Sequence, residues 1–389
     1  MNRHTSFKIG SIHGIEIRLD LSVAIVFLLV VYSLGSGLFP SWHADWSIAE
    51  SWSTALAAGL LFFASLLAHE LAHSVVAQAR GIEVPRITLF VFGGVSEMQR
   101  EPDTPASELL IAIVGPATSL VLGAVFTGLG VALADGSLLP QLQSDPEAAL
   151  ASLGQTATLL LWLGPVNVVL GVFNLIPGFP LDGGRVFRAL AWWLTGSLER
   201  ATRWAANAGR GFAWGLIALG LLELLNGRLF QGIWFMLIGW FLQNAARSSQ
   251  VQLAVRQALA GLKVRDLMRT RFETVSPQLS LRAFVDERLL RSGQLAWPVV
   301  DGGELVGMIA FDDLRGRLEG LGAQATVGQN MRKVEEYLRP ETAGRDALEI
   351  LLRSSVDPLP VLEHGHIIGM LFRADIMRWL AVHQLNTGL

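Results

Sequence analysis

Residues 54–79 read TALAAGLLFFASLLAHELAHSVVAQA, a run of 26 residues that carries one carboxylate, Glu70, and two imidazoles, His69 and His73. About 20 apolar residues, rising 1.5 Å each, cross a bilayer core of about 30 Å, so the run is long enough to span. Ionisable groups inside a span are costly, and by default they mark function. Helical spacing puts His69 and His73 on one face, where both can reach a single ion. Glu70 stands beside the first of them, in place to deprotonate a metal-activated water. The plain alternatives are a chance H-E-x-x-H match and histidines that merely bond a neighbouring helix.

Further apolar runs lie at about 21–39, 107–133, 157–185, 210–225 and 229–245, the last two joined by Asn226-Gly227-Arg228. Six such runs in series predict six spans rather than buried helices of a soluble core. The first run has no A-x-A-type cleavage site directly after it, so it is expected to be a span and not a removed signal. Before it, Phe7 to Asp20 alternates like a short strand pair. The chain is 51% hydrophobic and 16% charged, with 30 Lys and Arg against 33 Asp and Glu. A net charge of −3 gives no basic excess, so no nucleic-acid partner is expected. Cysteine is absent, so a transition metal here must use His, Asp or Glu.

Lys and Arg set the expected orientation. They occur at Arg3, Lys8 and Arg18, again at Arg80, Arg86 and Arg100, and again from Arg185 to Arg210, while 40–53 and 134–156 have none. The N-terminus and the tail are therefore expected on the cytoplasmic side of the plasma membrane, with Arg228 as the exception.

Catalytic zinc keeps three protein ligands and an open position. Asp182, in FNLIPGFPLDGGR (173–185), is the best candidate for the third. Pro177, Gly178 and Pro180 interrupt the fourth span there, and broken backbone at membrane depth is tolerated only where it lines protein or a cavity. The competing reading makes Asp182 a cap of the helix that follows. Spans two and four run in the same sense, so His69 and Asp182 are both expected towards the cytoplasmic face.

HELAH at 69–73, FGG at 92–94, GP at 115–116 and NLIPGFPLDGGR at 174–185 together resemble the site-2 protease family of intramembrane metalloproteases, over residues 8–245. The resemblance implies one zinc ion per chain, held by His69, His73 and Asp182, with Glu70 as general base. It implies a role for Asn174 at the substrate backbone or oxyanion, which an inter-helix polar clamp would rival. It likens Phe92-Gly93-Gly94 to a re-entrant hairpin that receives substrate. Ile87 to Phe92 is expected to pair with an unwound substrate by strand addition.

The tail repeats itself at a period of about 63. VRDLM (264–268) answers VGQNM (327–331), and LAWPVV with GMIA answers PLPVL with GMLF. This resembles a tandem pair of cystathionine-β-synthase (CBS) domains over 262–383. The family's G-x-x-T-x-x-D nucleotide pattern ends here at Asp313 and Asp375, but its Thr is Ala310 and Phe372. Adenine nucleotide and a purely structural or dimerising tail therefore stand side by side, and either allows a homodimer.

The fold expected is a polytopic α-helical membrane domain of six transmembrane helices (1–248), then a soluble α/β tandem CBS-domain pair (249–389). The function expected is that of an intramembrane zinc metalloendopeptidase cleaving transmembrane segments of membrane-protein substrates in regulated intramembrane proteolysis, with the CBS domains as the candidate regulator. A CBS-gated transporter or channel, whose sites also use broken helices, and a catalytically inactive relative are the alternatives.

Overall fold

The computed structural model describes residues 6–91, 93–134, 138–259, 261–311, 325–354 and 356–387. Its first residues form a strand pair, β1 (Ser6–Ile12) and β2 (Ile15–Asp20), antiparallel to each other. The turn at His13-Gly14 has positive φ at both positions, the twist that two-residue hairpins favour. Asp20 accepts a hydrogen bond from the Ser22 N–H at 2.9 Å and starts α1 (Leu21–Ser33), which runs through a π turn (Leu34–Leu38) to Trp42. A capping box starts α2 (Ile48–Ala79): the Ser47 hydroxyl accepts from the Glu50 N–H, and the Glu50 carboxylate accepts from the Ser47 N–H.

The chain then returns to the sheet as β3 (Arg86–Phe90) and β4 (Gly93–Glu97). Strand order is β1-β2-β3-β4, with β2 parallel to β3 and β3 antiparallel to β4. This corrects one expectation. β3 cannot take up a substrate strand, because β2 and β4 already fill both of its ladders. Among the described residues the edge on that side of the sheet is β4, and Phe92 lies outside them.

Five longer helices follow among the described residues: α3 (Pro105–Leu133), α4 (Gln155–Asn174), α5 (Asp182–Thr195), α6 (Leu198–Leu225) and α7 (Leu229–Ala258), with two short ones, Leu138–Ser144 and Pro146–Ala151, between α3 and α4. Leu21–Trp42, α2, α3, α4 and α6 are each long and apolar enough to cross a membrane, and the first half of α7 carries the sixth apolar run. This part of the chain is a polytopic helical membrane protein. Its exposed side chains include Leu28, Val121, Val169 and Leu222, a surface suited to lipid rather than water. Small residues let helices close up inside it. A Cβ on Gly123 would stand 2.9 Å from the Gly164 carbonyl oxygen, and one on Gly164 2.8 Å from the Thr127 nitrogen. α3 and α4 thus pack backbone to backbone.

The apolar run 157–185 is not one helix. α4 ends at Asn174, residues 175–181 are irregular, and Asp182 opens the separate helix α5. Pro177 and Pro180 lack the N–H that a continuing helix needs.

By its internal contacts the chain divides into Met1–Gln250 and Val251–Leu389. The second unit repeats one hairpin twice, β5 (Ala296–Asp301) with β6 (Glu304–Ala310), and β7 (Leu359–Glu363) with β8 (His366–Leu371). Each hairpin has a bulge at the same place, after Val299 and after Val361, and each gains a parallel bridge, Val275 to Val299 and Leu338 to Val361. The repeats exchange their openings. Arg269 N–H donates to the Met370 carbonyl, and Met308 N–H to the Arg332 carbonyl. A helix (Gly344–Arg353) and a last helix (Arg373–Thr387) complete the second repeat. This is an α/β tandem pair.

Candidate metal centre

Four residues apart on α2, His69 and His73 turn their rings to one side, with centroids 4.9 Å apart. Both are buried, at 2% and 3% exposure. Their Nε2 atoms are 3.2 Å from each other, and Asp182 Oδ2 is 3.1 Å from the first and 3.2 Å from the second. Among the described residues this is the one His/Cys/Asp/Glu group with such convergence.

The far side of each ring is held by α3. His73 Nδ1 lies 2.5 Å from the Ile111 carbonyl oxygen, and His69 Nδ1 lies 2.9 Å from Ser119 Oγ. A carbonyl only accepts, so His73 carries its proton on Nδ1 and aims a lone pair from Nε2 into the cluster. With the same tautomer at His69, whose Nδ1–H can donate to Ser119 Oγ, three electron-rich atoms face one another at close range, an arrangement that a cation among them would stabilise. Zinc bonds of about 2.0–2.1 Å in a tetrahedron place ligand atoms about 3.3 Å apart. The donor set fits zinc in both chemistry and spacing.

The room for this cluster comes from missing side chains. A Cβ on Gly115 of α3 would stand 2.1 Å from His73 Nε2 and 2.8 Å from His69 Nε2. Asp182 is the first residue of α5 but makes no capping bond; its carboxylate goes to the histidines. The two glycines after it let α5 start hard against the segment before it. A Cβ on Gly183 would lie 2.3 Å from the Leu175 carbonyl, and one on Gly184 2.4 Å from Gly178. That segment is fastened to α6, with the Phe179 N–H donating to the Ala205 carbonyl at 3.2 Å.

Glu70 is half-buried and faces β4. Its Oε2 accepts a hydrogen bond from Ser96 Oγ at 3.1 Å, and Ser74 Oγ stands 3.0 Å from Ser96 Oγ. A Cβ on Gly94 would lie 2.2 Å from Glu70 Cγ. Asn174 closes α4, and its amide donates to the Leu170 carbonyl at 3.0 Å. It makes no hydrogen bond to the cluster among the described residues.

In the second unit, Asp375 is gripped by Arg269, with Nε to Oδ2 and Nη2 to Oδ1 both 2.7 Å. The Arg269 guanidinium also lies 4.4 Å from the Phe372 ring centroid. Asp313 lies outside the described residues.

Sequence reasoning missed Ser96, Ser74 and Ser119, and saw no role for Gly115 beyond a match to a pattern. Serines are too common to stand out. A Gly-Pro pair within an apolar helix was the available signal for close approach at 115.

Comparison with known proteins places these observations. A sequence model of Peptidase family M50 matches residues 57–216, and CBS domain models match 264–320 and 327–382. Rip3 of Mycobacterium tuberculosis is 34% identical over 386 residues, covering 98% of this chain and 94% of that one. Zinc metalloprotease MJ0392 of Methanocaldococcus jannaschii is 30% identical over 388 residues, covering 99% and 98%. A solved structure, the site-2 protease from Methanocaldococcus jannaschii, is 29% identical and covers 63% of this chain and 94% of that one, with a TM-score of 0.43.

Proposed function

The chain belongs to peptidase family M50, the site-2 proteases, and is a membrane zinc metalloprotease with two CBS domains; from that premise we propose that it cleaves membrane-protein substrates within their transmembrane segments. The observation that carries the reading is the meeting of His69 Nε2, His73 Nε2 and Asp182 Oδ2 within 3.2 Å, among helices apolar enough to span a bilayer. The proposed topology puts the N-terminus and the CBS pair on the cytoplasmic side of the plasma membrane, because Lys and Arg, apart from Arg228, fall in alternate connections. The proposed domain division is 1–248 and 249–389.

His69, His73 and Asp182 are the proposed holders of zinc. When bound there, zinc polarises the scissile carbonyl and makes water more acidic. Glu70 is the proposed base: with Oε2 held by Ser96, its other oxygen is free to take a proton from the attacking water and pass it to the leaving nitrogen. Asn174 is the proposed donor to the developing oxyanion, a role for which its amide must turn from Leu170.

A helix hides its carbonyls in its own hydrogen bonds, so the substrate must unwind before attack. The edge strand β4 offers unwound backbone a partner. The chain has no cysteine, so a single Val95→Cys can be cross-linked cleanly to substrates carrying one cysteine near the scissile bond. Cross-linking to every second substrate position is expected; equal yields along the substrate would rule out strand pairing.

The CBS pair is proposed as a regulatory module that joins two copies of the chain. The reading in which the second repeat binds adenine nucleotide through Asp375 has against it the Arg269 ion pair on that carboxylate.

Metal analysis tests the main reading. Purified full-length protein is expected to carry one zinc per chain and to cleave a model transmembrane substrate. Treatment with 1,10-phenanthroline is expected to stop cleavage, and added zinc to restore it. Undiminished cleavage by protein shown to be zinc-free would overturn the reading.

A further inference from the structure

Glu108 and Arg188 are 1% and 8% exposed and have no part in the chemistry above. Arg188 Nε donates to Glu108 Oε1 at 2.6 Å, and Nη2 pairs with the same oxygen. The guanidinium carbon lies 5.2 Å from the Phe179 ring centroid.

The places of these residues in the chain are informative. Glu108 stands three residues before Ile111 on α3, the helix that holds the far side of both histidine rings. Arg188 stands six residues after Asp182 on α5. Phe179 belongs to the segment leading into Asp182, and it packs on Ala205 and Ala206 of α6. One guanidinium therefore touches the helix that aims both imidazoles and the segment that delivers the carboxylate.

Stability alone does not account for such a pair. Desolvation of two buried charges roughly cancels their attraction, and apolar pairs of equal volume often serve as well or better. What an apolar pair lacks is direction. A charge-assisted hydrogen bond from a planar guanidinium fixes both distance and angle. We propose that the Glu108–Arg188 pair is a positioning clamp that sets α5 against α3, and so sets Asp182 against His69 and His73. The proposal rests on the reading of those three residues as metal ligands.

The test uses full-length protein in detergent, stripped of metal and titrated with cobalt(II) while the visible ligand-field bands are followed, with kcat and KM measured after zinc reloading. Glu108→Leu with Arg188→Met replaces the pair by apolar groups of similar size. It is expected to keep its melting temperature, to bind cobalt about 10- to 100-fold more weakly, to show altered bands, and to lose kcat with KM unchanged. Wild-type affinity and bands in that variant overturn the clamp. Should it fail to fold, Arg188→Lys decides: it keeps the charge without the planar fork, and is expected to weaken cobalt binding in a folded protein, whereas wild-type binding overturns the clamp. Asp182→Ala separates the two levels. If it binds cobalt as tightly as wild type, the ligand reading itself fails. If it binds weakly while the apolar pair behaves as wild type, only the clamp fails.

Discussion

Glu70→Gln is expected to reduce kcat for a model transmembrane substrate by about 10²- to 10⁴-fold, the usual contribution of a positioned acid–base group, while zinc content and KM stay near wild type. The side chain keeps its size, so Gly94 still accommodates it and Ser96 Oγ still has an oxygen to bond. The amide cannot accept the proton, which isolates proton transfer from metal binding. Quantifying cleavage alongside zinc in the same preparation checks the claim. Activity within tenfold of wild type would remove Glu70 from the chemistry, and parallel loss of zinc would make its role structural.

Gly115→Ala is expected to be almost as damaging by a different route. The added methyl would stand 2.1 Å from His73 Nε2, where the ring cannot retreat because Ile111 holds its other nitrogen. Overpacking of this kind costs about 1–3 kcal/mol, and here the relief is to push α3 away from the imidazoles. Zinc content is expected to fall to about a tenth or less, and cleavage with it. Gly128→Ala is the control on the same helix, since nothing lies within 4 Å of its added methyl. Gly115→Ala protein with full zinc would show that the two helices part without harm to the site.

Much of this was legible in the sequence, because the deciding signals are periodic or rare. HELAH places two imidazoles by helical spacing alone, and the prolines near Asp182 mark a break that a membrane tolerates only where protein encloses it. The tail repeats its motifs at a fixed interval. What the sequence hid was pairing over long separations. β3 looked like an exposed strand, but its parallel partner β2 is returned to it by way of α1 and α2. The carbonyl that orients His73 belongs to Ile111, and a backbone oxygen leaves no mark in the sequence. Arg188 read as one more positive charge setting topology, yet it is buried against a carboxylate 80 residues away.

The strand β4 alternates: Gly94 and Ser96 lie towards Glu70, while Val95 and Glu97 are exposed. Redesign of this protease for a new target is constrained accordingly. Randomising positions 95 and 97 is expected to vary what the strand presents outward and to leave Glu70, the proposed base, seated. Changes at 94 and 96, which touch the proposed base, are expected to alter turnover and preference together, so a library that includes them would confuse poor recognition with a crippled enzyme.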